Sequence, residues 1–572
     1  MPVKPIPYGL DDYNLLIKDG CAYIDKTMYI HLLELAGYYN TFLRPRRFGK
    51  SLFASTLGYY YDINEIDNFD LLFSNTYIGQ NPTSKKNAYY ILKFNFSGIR
   101  AKSPEVMFES FTRKIYDALR AFCISYHLDI TLEMSSPEAQ LSHFFTEFHA
   151  CRQTGLVKSD AKIYVIIDEY DHFANELLSS NYEAFENAIT RDGFVRVWYE
   201  VLKEVSGTIV ERIFITGVSP MTLDSLTSGF NISLNFSMDR DFNEMMGFTR
   251  TEVEQLIQET IIPEDLPVGL MDTLTEHYNG YCFSEDGKER VFNSDMVLYY
   301  LKHYQRHHEP PRTLLNRSAV SDYGKLKGLI LFETPQDNVK TLEEIVLTGY
   351  TTTEALDDFV IGQEFEEGHF KALLFYLGLL TIKEAGADGV RLQIPNEVMK
   401  GLYLKFIKNI ITGEMKHALK TDQIKEAMHQ LGYENSCEKL IILTEDLLHA
   451  LSNRNSIGFD EKHVKLVMFT YARMSELYTL KSEYEALKKY ADLIFMPQND
   501  TSELAIQMFE FKYIKKSDES EETIAAALAE AEKQLMEYSS AEEFLGKNIT
   551  CWAIVFVGDK CVERANVYVG RE

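Results

Sequence analysis

The segment Thr41-Phe42-Leu43-Arg44-Pro45-Arg46-Arg47-Phe48-Gly49-Lys50-Ser51 constrains this chain more than any other. It reads as the end of an apolar strand, a tight basic loop, and Gly-Lys-Ser opening a helix. Backbone N–H groups at a helix start, with one Lys beside them, form a pocket for phosphate groups. Arg46, Arg47, Phe48 and Gly49 would wrap those phosphates, Lys50 would meet their charge, and Ser51 would hold a magnesium ion on them. One position departs from the usual pattern. Arg44 stands where the first Gly is expected, and a side chain there restricts the positive-φ conformations open to the turn. Taken alone, the segment also fits a basic surface loop before an ordinary helix.

A second segment bears on that choice. Lys162-Ile163-Tyr164-Val165-Ile166-Ile167-Asp168-Glu169 is a continuous apolar run ending in two carboxylates. Such a run suits a strand buried on both faces of a parallel sheet. In that architecture the carboxylates lie beside the phosphate loop. Asp168 would hold magnesium through water, and Glu169 would polarise the attacking water. A further strand, Arg212-Ile213-Phe214-Ile215-Thr216-Gly217, has a polar tip. Thr216 or Ser219 there could sense a γ-phosphate, or equally a hydroxyl there could cap the next helix.

Composition excludes several classes. The 572 residues are 45% hydrophobic and 25% charged, as in globular proteins. No apolar run is long enough for a membrane span, and Met1-Pro2-Val3-Lys4-Pro5 has no signal core. The 7 cysteines include no C-x-x-C pair, so neither a disulfide framework nor a zinc knuckle is indicated, and a reducing cytoplasm is expected. A net charge of −27 argues against broad coating of nucleic acid, although Lys481, Lys488, Lys489, Lys512, Lys515 and Lys516 could form a local basic groove or a solvated face. The Tyr59-Tyr60-Tyr61 run is expected to pack inside its own domain.

Strand-like and helix-like segments alternate in residues 1–245, the pattern of an α/β sheet. Ala88 to Phe96 reads as a strand and Val106 to Leu128 as a long amphipathic helix. Residues 246–310 read as a helical lid, in which Thr249 and Glu252 form a capping box. Residues 311–455 read as a mostly helical middle. Leu379 to Ile382 and Val390 to Ile394 form a hairpin within it, which suits a winged-helix module. Residues 456–572 change character. A helix from about Lys462 to Tyr478 is followed by strands at Tyr490 to Met496, Leu504 to Phe511, Thr550 to Val557 and Glu563 to Val569, with an Ala-rich helix, Glu521 to Tyr538, between the middle pair.

In this last segment Asp492 sits early in one strand and Glu510-Phe511-Lys512 ends the next. Residues two apart in a strand share a face, so Glu510 and Lys512 should project together, across from Asp492. Two carboxylates facing one point bind a hard divalent cation, and an adjacent Lys can orient water and stabilise charge on a phosphate. Glu461, before the first helix, could add a third carboxylate or only complement the helix dipole. A plain surface salt bridge fits the same short motif.

The chain resembles the bacterial AAA-ATPase-like proteins that carry a C-terminal PD-(D/E)XK nuclease domain. The resemblance rests on Tyr23 to Thr27 (YIDKT), Leu43 to Leu52 (LRPRRFGKSL), Ile167 to Asp171 (IDEYD), Phe214 to Pro220 (FITGVSP), Leu226 to Asn231 (LTSGFN), Tyr278 to Tyr281 (YNGY), Ile394 to Glu397 and Glu510-Phe511-Lys512. It accounts for Arg44, because the family itself replaces that Gly. It implies an α/β multidomain chain: an AAA-like P-loop NTPase domain with a parallel sheet, a helical or winged-helix-like middle, and a restriction-endonuclease-like α/β end. ATP and Mg²⁺ would be the cofactors. Lys50 and Ser51 would grip them, and Asp168 and Glu169 would be the Walker B pair. Asp492, Glu510 and Lys512 would form the nuclease centre, and Gln534 looks like the helix Gln of that group. The family often has Gly-Arg shortly before the metal-binding Asp; here those positions read Lys489-Tyr490.

These expectations describe an ATP-gated nuclease, with DNA preferred to RNA as its polymer. A STAND-like signalling switch with an inactive nuclease fold is the alternative, and a protein-assembly factor that binds its partner through the helical middle is a third reading.

Overall fold

The computed structural model describes residues 3–100, 103–172, 193–220, 232–315, 335–356, 367–386, 389–403, 421–452, 461–474, 477–486, 489–497, 504–541 and 544–567. Leu226 to Asn231, Lys488 and Val569 lie outside them, as do the side chains of Glu461, Lys481, Lys489 and Tyr490. The chain forms two compact units. The first comprises Met1–Val339 with Thr352–Met399, and the second Lys340–Thr351 with Lys400–Glu572.

The first unit is built on five parallel strands: β1 (Tyr39–Leu43), β2 (Tyr90–Asn95), β3 (Ile163–Asp168), β4 (Val210–Gly217) and β5 (Leu234–Asn235). They lie in the order β2-β3-β4-β1-β5. Every residue of β3 is buried, as its unbroken apolar run requires. Burial of a side chain such as Ile167 contributes about 1.5–3 kcal/mol. The helix Lys50–Tyr61 follows β1 and packs across β2, β3 and β4. Tyr60 and Tyr61 are fully buried in it, and the Tyr61 ring meets Tyr89 and Tyr164. The long helix is Pro104–Ser125, two to three residues N-terminal of the expected span. Ser103 caps it by accepting from Val106 N–H, and Pro104 takes the first turn, where no N–H is needed. Trp198 closes this side of the core against Phe94, Phe96 and Phe111.

Residues 246–310 hold helices at Arg250–Thr260, Leu270–Tyr278 and Ser294–His307. The capping box forms, with Glu252 N–H donating to Thr249 Oγ1 and Thr249 N–H to Glu252 Oε2. The short strand β6 (Tyr350–Thr353) spans the junction of the units in sequence. The middle hairpin pairs β7 (Thr381–Gly386) with β8 (Gly389–Gln393), longer at the turn than its apolar positions suggested.

The second unit carries a mixed sheet of β9 (Tyr478–Ala486), β10 (Lys489–Pro497), β11 (Ile506–Ile514), β12 (Ile549–Val557) and β13 (Lys560–Val567), in the order β13-β12-β11-β10-β9. β11 and β12 run parallel, which demands a crossover, and the helix Glu521–Ser539 supplies it. That helix buries Ala531, Leu535 and Tyr538 against Ile494, Met508, Cys551 and Ala553. The helix Glu461–Met474 packs on β9, β10 and β11. Helices Thr421–Glu434 and Glu438–Ser452, read from sequence as part of the middle, belong to this unit.

Candidate functional site

In the first unit the chain leaves β1 at Leu43 and enters the helix at Lys50. Gly49 caps that helix at φ 96° and Arg47 adopts φ 71°, so the turn takes its left-handed conformations after Arg44. Arg44 is a strut and not a phosphate ligand. Its guanidinium is buried, donates to the carbonyls of Leu43 (2.9 Å), Phe242 (2.9 Å) and Ser237, and lies 4.3 Å and 4.2 Å from the ring centres of Phe42 and Phe283. Burial lowers its pKa to about 9. The first residue of the loop thereby ties the loop to the segment after β5.

Lys50 Nζ donates to the carbonyls of Arg44 and Pro45, at 2.9 Å each. Burial lowers its pKa to about 8, opposed by the charges of Asp168, Asp171 and Glu169. Asp168 is buried and held above the ordinary carboxylate range by that burial, opposed by the nearby Ser51 hydroxyl and the Lys50 charge. The loop and the end of β3 thus lie close together. Glu169 follows at φ 52°, its N–H bonded to Asp168 Oδ1 (2.9 Å) and its carboxylate 3.1 Å from His172 Nδ1. The His172 hydrogen bond holds Glu169 below its usual range. A cavity of about 500 Å³ opens here. Arg46 to Ser51, Glu169, His172, Gly9, Asp11, Tyr23, Lys26, Phe248 and Asp295 border it.

Thr216, at the tip of β4 between β1 and β3, is fully buried, and its hydroxyl has no hydrogen-bond partner among the described residues. Ser219 is equally buried, and its N–H donates to Asp171 Oδ2 at 2.8 Å. Asp171 also accepts from Val218 N–H at 3.1 Å. This carboxylate clamps the end of β4 to the loop after β3. Sequence reasoning assigned it no role, although it closes the Ile167 to Asp171 motif. Asp295 was missed as well. It opens the helix Ser294–His307 and pairs with Arg47 at 2.8 Å, while Ser294 Oγ donates to the Arg47 carbonyl. Arg47 therefore meets a carboxylate and Arg46 borders the cavity.

In the second unit the antiparallel register runs from Leu493↔Phe509 to Phe495↔Gln507, and one residue beyond it stand Asp492 and Glu510. Phe511 N–H donates to Asp492 Oδ2 at 2.7 Å, which draws the Asp492 carboxylate over β11. Lys512 Nζ lies 3.4 Å from both Glu510 Oε1 and Glu530 Oε1. Glu510 is buried beside Asp492, and both facts push its pKa up to about 8, burial first. Its second oxygen, Oε2, is buried with no hydrogen-bond partner among the described residues, and so is Gln534 Oε1 on the crossover helix. An orphaned Glu510 oxygen beside the Asp492 carboxylate fits a hard cation that takes one or two protein carboxylates and completes its shell with water or phosphate oxygens. Among the described residues no group of three or more His, Cys, Asp or Glu forms a metal cage. Glu461 is the first residue of the helix Glu461–Met474. The strongest contact in the cluster comes from a residue that sequence reasoning did not name. Lys465 Nζ lies 2.6 Å from Asp492 Oδ1, both side chains being nearly buried. Its signal was a lysine on a helical face whose neighbours Val464, Met468 and Ala472 are all core. Of the basic run further on, Lys516 pairs with Asp559 at 2.9 Å.

Residues 7–227 match the AAA-ATPase-like family, described as predicted AAA-ATPase, and residues 459–565 match the PD-(D/E)XK nuclease superfamily. The chain thus carries an AAA-ATPase-like domain followed by a PD-(D/E)XK nuclease-superfamily domain. An uncharacterized protein from the vnfD 5′ region of Azotobacter chroococcum mcd 1 is 27% identical over 408 residues, covering 70% of this chain and 69% of that protein. Among solved structures, the Aeropyrum pernix ORC2 protein in ADPNP–ADP complexes aligns with 14% identity and a TM-score of 0.28, over 68% of this chain and 93% of that one. The Aeropyrum pernix ORC1 protein in complex with DNA aligns with 10% identity and a TM-score of 0.27, over 68% and 95%. No helix among the described residues is long and apolar enough to cross a membrane.

Proposed function

We propose that this chain binds and hydrolyses ATP in its first unit and uses that cycle to gate metal-dependent cleavage of DNA in its second. The observation that carries the reading is the pair Asp492 and Glu510 on adjacent strands, with Lys512 beside them and Glu510 Oε2 buried without a partner.

In the first unit Lys50 would exchange the carbonyls of Arg44 and Pro45 for phosphate oxygens, and the N–H groups at the start of its helix would take the rest. Ser51 and Asp168, which lie close together, are the residues that would hold Mg²⁺, which supplies neutralisation of phosphate charge. Glu169 is ionised and borders the cavity, so it can orient a water. The buried Thr216 hydroxyl is the reserve donor toward a terminal phosphate. In the second unit Asp492 and Glu510 would hold the divalent ion, which supplies an activated water and a counter-charge for the scissile phosphate. Lys512 can steady the charge that develops on that phosphate.

The test uses the full chain with plasmid and single-stranded DNA, Mg²⁺ or Mn²⁺, with and without ATP. Cleavage is expected for the native chain and lost in Asp492→Ala and Lys512→Ala, both of which still bind ATP. Lys50→Ala should lose ATP binding. If Asp492→Ala and Lys512→Ala cut as well as the native chain, the nuclease assignment fails. The signalling switch is favoured by one feature, the Lys465 ammonium seated on Asp492. It predicts ATP binding through Lys50 with no cleavage under either metal.

A further inference from the structure

The cluster in the second unit contains two buried carboxylates, Asp492 and Glu510, two ammonium groups, Lys465 and Lys512, and at its rim the exposed Glu530, 3.4 Å from Lys512. Its inner four groups are together formally neutral. The two lysines differ in what they do. Lys512 comes from the same strand as Glu510, stays partly exposed, and sits at the long distance of 3.4 Å from that carboxylate. Lys465 comes from a different element, the helix Glu461–Met474, and is held at 2.6 Å from Asp492 Oδ1 with side-chain exposures of 8% and 12%. The other oxygen of Asp492 is engaged by Phe511 N–H. Both oxygens of the first carboxylate are therefore occupied, while Glu510 keeps an oxygen with no partner.

A divalent ion entering a neutral, poorly hydrated cluster would raise its charge to +2, and in low dielectric that is opposed by every ammonium within a few ångströms. The site becomes receptive when one ammonium leaves. Lys465 is the one whose contact coincides with a carboxylate oxygen that the ion needs.

We propose that Lys465 is an internal counter-cation at the Asp492 carboxylate, which an incoming divalent ion must displace. This inference rests on the reading of Asp492 and Glu510 as a metal site. Lys465 is a positioning residue. It keeps the buried Asp492 compensated when metal is scarce, and it sets the metal concentration at which the site fills.

The experiment measures Mn²⁺ binding to the full chain without nucleotide, by calorimetry and by the Mn²⁺-induced shift of the melting temperature. It compares the native chain with Lys465→Met, Lys465→Gln, Lys465→Arg and Asp492→Asn. The neutral variants should bind Mn²⁺ about tenfold tighter than the native chain. They should melt lower without metal, because Asp492 is left uncompensated, and gain more from Mn²⁺ than the native chain does. Lys465→Arg, which keeps the charge, should bind like the native chain. Equal or weaker Mn²⁺ binding in whichever neutral variant folds overturns the inference. If Asp492→Asn abolishes native Mn²⁺ binding while the neutral variants bind no tighter, the inference falls and the metal site stands. If Asp492→Asn changes nothing in any background, both fall.

Discussion

At the scale of single residues, burial sets the behaviour of Lys50. Lys50 has its pKa lowered to about 8 in the free pocket. Burial disfavours its charge, so this group lowers stability below pH 8, and the cost is relieved as pH rises toward its ordinary value. ATP phosphates favour the ammonium. ATP binding above pH 8 should therefore take up a proton and weaken as pH rises, which calorimetry in buffers of different ionisation enthalpy will read directly. Arg44 illustrates what a sequence motif conceals. It breaks the phosphate-loop pattern, and its partners Ser237, Phe242 and Phe283 are some two hundred residues away, so nothing local announces that it is a strut. Replacing it with Met should destabilise the first unit by about 3 kcal/mol, through the carbonyls left unpaired, measured as a shift of the first unit's denaturation midpoint. Lys465 left only the signal of a lysine among the core positions of a helix, because its partner Asp492 comes from a separate strand.

At the scale of elements, the legible parts were those whose signal is local. The unbroken apolar run of β3 and the Thr249–Glu252 capping box both follow from adjacent residues and stand as read. Thr249→Ala should cost about 1 kcal/mol, visible as a lower melting temperature. The strand β9 is not announced by its sequence. Its sequence, Tyr478-Thr-Leu-Lys-Ser-Glu-Tyr-Glu-Ala, is rich in polar residues because it lies at an edge of the sheet, where one side of the backbone is not paired. The juncture of β3 and β4 leaves less freedom. A Cβ on Gly217 would come within 2.4 Å of Tyr170 and 2.5 Å of Asp171. Gly217→Ala should displace the acidic loop and cost about 1–3 kcal/mol, and we expect ATP turnover to fall more than ATP affinity, measured side by side.

At the scale of the whole molecule, the chain divides into two compact units, and the second has a hydrophobic core of its own. Heating the full chain should give two transitions, one raised by ATP with Mg²⁺ and abolished as a response by Lys50→Ala, the other raised by Mn²⁺ alone and insensitive to that substitution. A single transition moved equally by both ligands would contradict the division. The net charge of −27 has a related effect, since any grip on DNA must come from a small basic locus and should weaken with salt only as steeply as a few phosphate contacts allow. The left-handed backbone of Glu169 has a consequence of another kind. That conformation suits Gly or Asn better than Glu, by about 1 kcal/mol. Selection for heat resistance alone would thus reward the loss of this carboxylate, and under the role proposed for Glu169 the sturdiest descendants of the chain would be the poorest at nucleotide turnover.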